Sequence, residues 1–197
     1  KAVTILGFKT LQSLVMVGST VKLLRKEKEM DIYGFATEGL WIHSVTVACI
    51  ARFLALNWLK LNNKEAEEVF VAGLLHDIGK LIISQEINKI AEEHTADSIL
   101  SNKNLTVQEM ERQILGIDHA ELGGIMAEKW QLNPELAVTI KDHHMSDPHK
   151  TYSPYTLAVA LADKLCINLE IGFKHKYKWN DSTRENLKNL LLKHKNK

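Results

Sequence analysis

Seven side chains in this sequence have the chemistry of metal ligands: His43 in WIHSVTVACIARFLA, His76 and Asp77 in FVAGLLHDIGK, His119 in GIDHAELGG, His143 and His144 in IKDHHMSDP, and Asp163 in LAVALADKLCI. Neutral imidazole and carboxylate together suit a divalent transition metal. Each residue stands in a helical pattern that predicts at least partial burial, where an unpaired ionisable group is costly. Taken singly, each histidine reads as a satisfied core or helix-end residue. Taken together, five of the nine histidines and two aspartates recur on separate helices, and bundle interiors build metal sites from facing helices in this way.

The ligand types define the chemistry. A metal held by His43, His76, Asp77 and Asp163 leaves room for water, lowers that water's pKa and polarises a phosphoryl oxygen, so that hydrolysis of a phosphate ester becomes feasible. His119, His143 and His144 could hold a second ion, making a two-metal clamp for in-line displacement. Asp77 and Lys80 are the candidate catalytic residues. Lys80, three residues after Asp77 and four after His76, falls on the same side of a helix and could neutralise a substrate phosphate. It reads equally as a lysine whose stem lies along the surface. His119 follows the candidate cap Asp118, in a first helical turn where an anion is favoured.

Helices must carry all of these residues. Nearly every segment has a period near 3.6 and none alternates convincingly, so the expected class is all-α, a single helical bundle of seven or more helices. A first helix is expected over about residues 2–25, ending in the charged run RKEKEMD, and a second over WIHSVTVACIARFLALNWL. Asn62–Asn63 read as a stop followed by an N-cap for the helix that leads into HDIGK. Thr106 with Glu109, and Asp118 with Glu121, have capping-box spacing. Asn133–Pro134 and Ser153–Pro154 mark two more helix starts. The lysine-rich end, KHKYKWNDSTRENLKNLLLKHKNK, reads as an exposed terminal helix.

A length of 197 residues, with 45% hydrophobic and 25% charged side chains and three prolines, fits one soluble domain. The net charge of +1 supplies no global attraction to nucleic acid or an acidic membrane, and direct nucleic-acid binding is not expected. Cys49 and Cys166 lie in apolar helical patterns and are expected to be small buried residues in a reducing cytosol. No apolar run is expected to approach the roughly 18 residues that span a bilayer, so a cytoplasmic protein without a membrane partner is expected. The chain begins abruptly in helical periodicity, which suggests an upstream portion.

His43, His76–Asp77 and Asp163 resemble the H…HD…D pattern of the HD superfamily of metal-dependent phosphohydrolases. More closely, the order AVTILGFKTLQSLV, WIHSVTVACIARFLA, FVAGLLHDIGKLII, ERQILGIDHAELGGIMAEKW and IKDHHMSDP is similar to the HDOD family, the HD-related output domains of bacterial signalling. The resemblance runs from residue 1 to about 170, and residues 171–197 read as a basic helical tail. It implies a helical domain lacking some upstream family helices, a bacterial cytoplasmic regulatory role and signalling proteins as partners. It also implies one or two divalent ions (Fe, Mn, Zn, Ni or Mg), with a nucleotide, cyclic dinucleotide or other phosphodiester as the candidate substrate. Many HDOD members lack metal ligands and act through protein contacts, whereas this chain keeps the full set. His119 and His143–His144 further resemble additional ligands of the HD-GYP cyclic-di-GMP phosphodiesterases. The segment HHMSDPHKTYSPYTLAVALAD, however, holds no GYP sequence, and that loop contributes to the substrate site of those enzymes. A domain that binds metal and hydrolyses a phosphoester, a non-catalytic interaction domain with a relic HD site, and a phosphohydrolase of free nucleotides are the three readings that follow.

Overall fold

Helix starts in this chain are set by side chains that satisfy the first free amides. In the computed structural model, which describes residues 31–36, 38–92, 96–102 and 104–173, the Asn62 side chain accepts from the Glu65 amide at 3.0 Å. Glu65 in turn accepts from the Asn62 amide at 2.8 Å. Thr106 and Glu109 form the same reciprocal box. Asn133 and Ser153 cap helices that begin with proline. Asp118 makes only the forward half of the box expected of it: it accepts from the Glu121 amide at 2.8 Å. Arg112 holds its second oxygen at 2.6 Å.

The described residues form a 3-10 turn, Asp31–Tyr33, and eight α-helices: α1 Gly39–Asn57, α2 Asn63–Leu75, α3 Lys80–Glu92, α4 Asp97–Leu100, α5 Val107–Leu115, α6 His119–Lys129, α7 Pro134–Asp142 and α8 Pro154–Asn168. They contain no strand, and the architecture is all-α as expected; one isolated antiparallel bridge joins Phe35 to Phe173. The helix expected over residues 2–25 and the tail from residue 174 onward lie outside the described residues.

Two apolar clusters position the helices. Val47, Ala48 and Ala51 of α1 pack with Val69, Ala72 and Leu75 of α2, Leu136 and Ile140 of α7, and Ala158, Ala162 and Cys166 of α8. Tyr33, Phe35, Ile78, Leu81, Ile83 and Ile87 form the second cluster, with Met110 and Ile114 of α5 and Leu122 and Met126 of α6 against it. Each fully buried aliphatic side chain contributes about 1.5–3 kcal/mol by removal from water. The candidate ligands stand on the same segments that supply these two clusters.

Three expectations are corrected. FVAGLLHDIGK is not one continuous helix: His76–Gly79 is a turn between α2 and α3. Its bonds tighten to three-residue spacing, from the Ile78 amide to the Leu75 carbonyl and from the Lys80 amide to the Asp77 carbonyl. The turn lies against the start of α6, where a Cβ on Gly79 would overlap the His119 carbonyl. Cys49 is exposed while Cys166 is buried. Cys49 stands on the outward face of α1, four residues before Phe53, which is 57% exposed; α1 is apolar nearly all round, so periodicity could not separate its faces. The third correction also concerns α1, whose 19 residues are long and apolar enough to cross a membrane by length and composition. Half of that window is buried inside the fold, as in a core helix.

Gly79→Ala is expected to lower stability by about 3 kcal/mol or more, because the obstacle is backbone that cannot rotate away. Urea denaturation of the variant checks this, and an unchanged midpoint would show that the turn does not need the close approach.

Candidate metal centre

Four histidines orient their rings by one rule. His76 lies at the C-cap of α2 and its Nδ1 is 2.7 Å from the Gly73 carbonyl; His143, at the C-cap of α7, repeats this with the Ile140 carbonyl at 2.7 Å. His43 turns Nδ1 to the Ile171 carbonyl at 3.3 Å, and His119 turns Nδ1 to Glu111 Oε2 at 2.6 Å. A carbonyl or carboxylate oxygen can only accept, so Nδ1 donates in each case and Nε2 faces the interior. Metal-ligating imidazoles are commonly held by such a bond from the other nitrogen.

The structure brings all seven predicted ligands together. Ligand atoms of His43, His76 and Asp163 lie within 4.8 Å of one another, as do those of His119, His143 and His144, and those of His76, Asp77 and His143. Atoms about 2.0–2.2 Å from a shared ion have separations of this order. Asp163, on α8, sets Oδ1 3.0 Å from His43 Nε2 and 3.6 Å from His76 Nε2. Asp77 stands between the two groups: Oδ2 is 3.3 Å from His76 Nε2 and 3.7 Å from His43 Nε2, while Oδ1 is 3.4 Å from His119 Nε2 and 3.7 Å from His143 Nε2. One carboxylate thus offers an oxygen to each side. His144 completes the second group, its Nε2 lying 2.8 Å from His119 Nε2.

Three buried atoms in this cluster lack a hydrogen-bond partner: His76 Nε2, Asp77 Oδ1 and His143 Nε2. Leaving a buried polar atom unpaired costs about 1–3 kcal/mol, more if charged. That three converge is the observation a divalent ion would explain, and the N and O donors suit one.

The electrostatics differ between the two sides. Burial pushes the Asp77 carboxyl up, but His76 and then Lys80 outweigh it and hold it well below the usual carboxylate range. Burial likewise pushes the Asp163 carboxyl up, but its bond to His43 and the nearby His76 hold it well below the usual carboxylate range. Burial opposes charge on His76, yet Asp77 and Asp163 raise it to about 10, so an ion bound there would have to displace a proton. On the other side, burial and then His144 hold His143 well below its usual value, and burial and then His119 bring His144 down to about 4. Those two imidazoles are neutral at pH 7, the form that ligates.

Lys80 is not free at a helix surface. Its Nζ lies 2.6 Å from Asp77 Oδ2 and sits over the rings of Tyr33 and Phe35, 5.3 and 5.4 Å from their centroids. Phe35 also stacks on Phe173, with centroids 4.5 Å apart, so aromatic side chains wall the centre beside His43 and Lys80.

Sequence reasoning missed Glu111. It is fully buried on α5, and its Oε1 accepts from the Tyr33 hydroxyl at 2.6 Å while Oε2 accepts from both the amide and Nδ1 of His119. The signal was present: Glu111 precedes Ile114 and Leu115 by helical steps, a carboxylate on an apolar stripe.

Comparison with known proteins bears on the family and the fold. The HDOD domain profile matches residues 1–146. The crystal structure of an HDOD domain protein of unknown function from Geobacter sulfurreducens superimposes with a TM-score of 0.62 at 30% identity, covering 92% of this chain and 59% of that one. A Shewanella amazonensis SB2B protein to which phosphohydrolase activity is provisionally attributed superimposes with a TM-score of 0.62 at 28% identity, covering 86% and 58%. An uncharacterized protein of Treponema pallidum (strain Nichols) is 26% identical over 115 residues, 56% of this chain but 22% of its own length. The chain therefore spans less than two thirds of each of these relatives. With a helical fold of the HD type and a matching profile over most of its length, the chain belongs to the HDOD domain family.

Proposed function

We propose that this domain is a cytoplasmic output module of bacterial signalling that holds two divalent ions and hydrolyses a phosphodiester or nucleotide. The convergence of unpartnered His76 Nε2, Asp77 Oδ1 and His143 Nε2 carries this reading. His43, His76 and Asp163 would hold the first ion, His119, His143 and His144 the second, and Asp77 would serve both. Such ions, when bound, lower the pKa of water and polarise a phosphoryl oxygen. Lys80, beside Asp77, supplies the positive charge that would meet a substrate phosphate, and it reaches the phosphate by exchanging its bond to Asp77. The aromatic wall of Tyr33 and Phe35 limits water around that ammonium and strengthens its interactions.

A second reading, an interaction domain without turnover, is favoured by closure of the centre. Asp77 is 1% exposed and Lys80 8%. A substrate must displace part of the aromatic wall to reach them.

Expression with Fe, Mn, Zn, Ni and Mg supplied is expected to yield two ions per chain by elemental analysis, and chelation is expected to lower the melting temperature. Metal-free protein with an unchanged melting temperature would remove the metal reading. In a hydrolysis screen over nucleotides, cyclic dinucleotides and a chromogenic phosphodiester, His76→Ala is expected to reduce turnover by at least about 100-fold while circular dichroism stays helical. Activity equal to that of the parent would place the chemistry elsewhere, and an inactive parent with full metal occupancy would favour the interaction domain.

A further inference from the structure

We infer that Glu111 is a positioning residue whose buried carboxylate fixes the His119 ring as a ligand of the second ion, and so decides whether the centre holds one ion or two. The inference rests on the two-ion reading above. Its basis is an asymmetry among the four Nδ1 bonds. His43, His76 and His143 donate to backbone carbonyls of Ile171, Gly73 and Ile140, which the fold itself supplies. His119 donates to a side chain, Glu111, at 2.6 Å. The first-ion ligands are therefore oriented by backbone, whereas one second-ion ligand depends on a single carboxylate.

Glu111 is built for this. It is 0% exposed, and a carboxylate that deep is tolerated only when its oxygens are bonded. Oε1 takes the Tyr33 hydroxyl at 2.6 Å; Oε2 takes the His119 amide at 2.8 Å as well as the ring nitrogen. Backbone and ring of one residue are thus held by one oxygen, which fixes the side-chain angle as well as the start of α6. A carboxylate acceptor on Nδ1 also makes Nε2 a stronger donor to a cation than a carbonyl acceptor does. The effect extends one residue further. His144 Nε2 lies 2.8 Å from His119 Nε2, so a displaced His119 ring disturbs two of the three imidazoles on that side. None of the first-ion rings touches Glu111 through a hydrogen bond among the described contacts.

The test is titration of metal-free protein with Mn²⁺ alone, followed by calorimetry and by the exchange-coupled electron paramagnetic resonance signal of a Mn²⁺ pair. The parent is expected to bind two ions and show the coupled signal. Glu111→Gln is expected to leave the first dissociation constant within about twofold and weaken the second by about 10–100-fold, with the coupled signal lost at the Mn²⁺ concentration that saturates the parent. Tyr33→Phe, which leaves the carboxylate but removes its Oε1 partner, is expected to weaken the second constant less, again sparing the first. A purely structural Glu111 would lower the melting temperature of the metal-free protein without separating the two constants, and that result overturns the assignment. If Glu111→Gln does not fold, Tyr33→Phe decides: a second constant equal to the parent's overturns it. A parent that binds one ion or none overturns the two-ion centre itself, and is distinguishable because the variants play no part in that result.

Discussion

The buried carboxylate of Asp77 is the constraint on which the rest of the molecule turns. A charge at 1% exposure must be answered on every side. Here only Lys80 of α3 bonds it, while imidazoles from α1 (His43), the turn itself (His76), the start of α6 (His119) and the end of α7 (His143) stand 3.3–3.7 Å from its oxygens and leave Oδ1 without a hydrogen bond. Helices from distant parts of the chain are therefore tied to one pair of oxygens. The hydrophobic clusters bring them near; the acid group sets their final orientation.

That arrangement requires unusually close backbone approach at the turn. The small side chains Ala48, Ala51, Ala66 and Ala72 let α1 and α2 lie side by side, which brings His43 towards the end of α2. Gly79 then lets the chain pass against the His119 carbonyl. Two interruptions of helical structure, one after α2 and one after α7, place His76 and His143 at C-caps. A ring in that position can bond its own last turn and still present Nε2 inward. Helix ends carry free carbonyls in any case; here two of them are used to aim imidazoles.

Much of this was legible before the fold was known, for physical reasons that can be stated. Capping at Asn62, Thr106, Asn133 and Ser153 is local chemistry, and local chemistry reads directly from adjacent residues. The seven candidate ligands stood out because imidazoles and acids on apolar faces conflict with burial. Three things were not legible. Cys49 sits on a helix apolar nearly all round, so no periodicity distinguishes its outward face. The break at His76–Gly79 lies against the start of α6, more than thirty residues away in sequence, a contact that no local pattern encodes. Glu111 obeyed the same rule as the ligands, yet a single glutamate on a short amphipathic helix resembles many solvent-facing ones until Tyr33 and His119 are seen around it.

The bridge between Phe35 and Phe173 has a topological consequence. The Ala36 amide bonds the Gly172 carbonyl at 3.0 Å, and Gly39 and Gly172 approach so closely that neither could carry a Cβ. The eight helices of the described residues thus all lie in sequence between the two segments that this antiparallel bridge fastens together. The fastening lies directly on the imidazole cluster, because the Ile171 carbonyl beside it is the one that holds His43. Loss of this pairing would therefore free the carbonyl that orients His43.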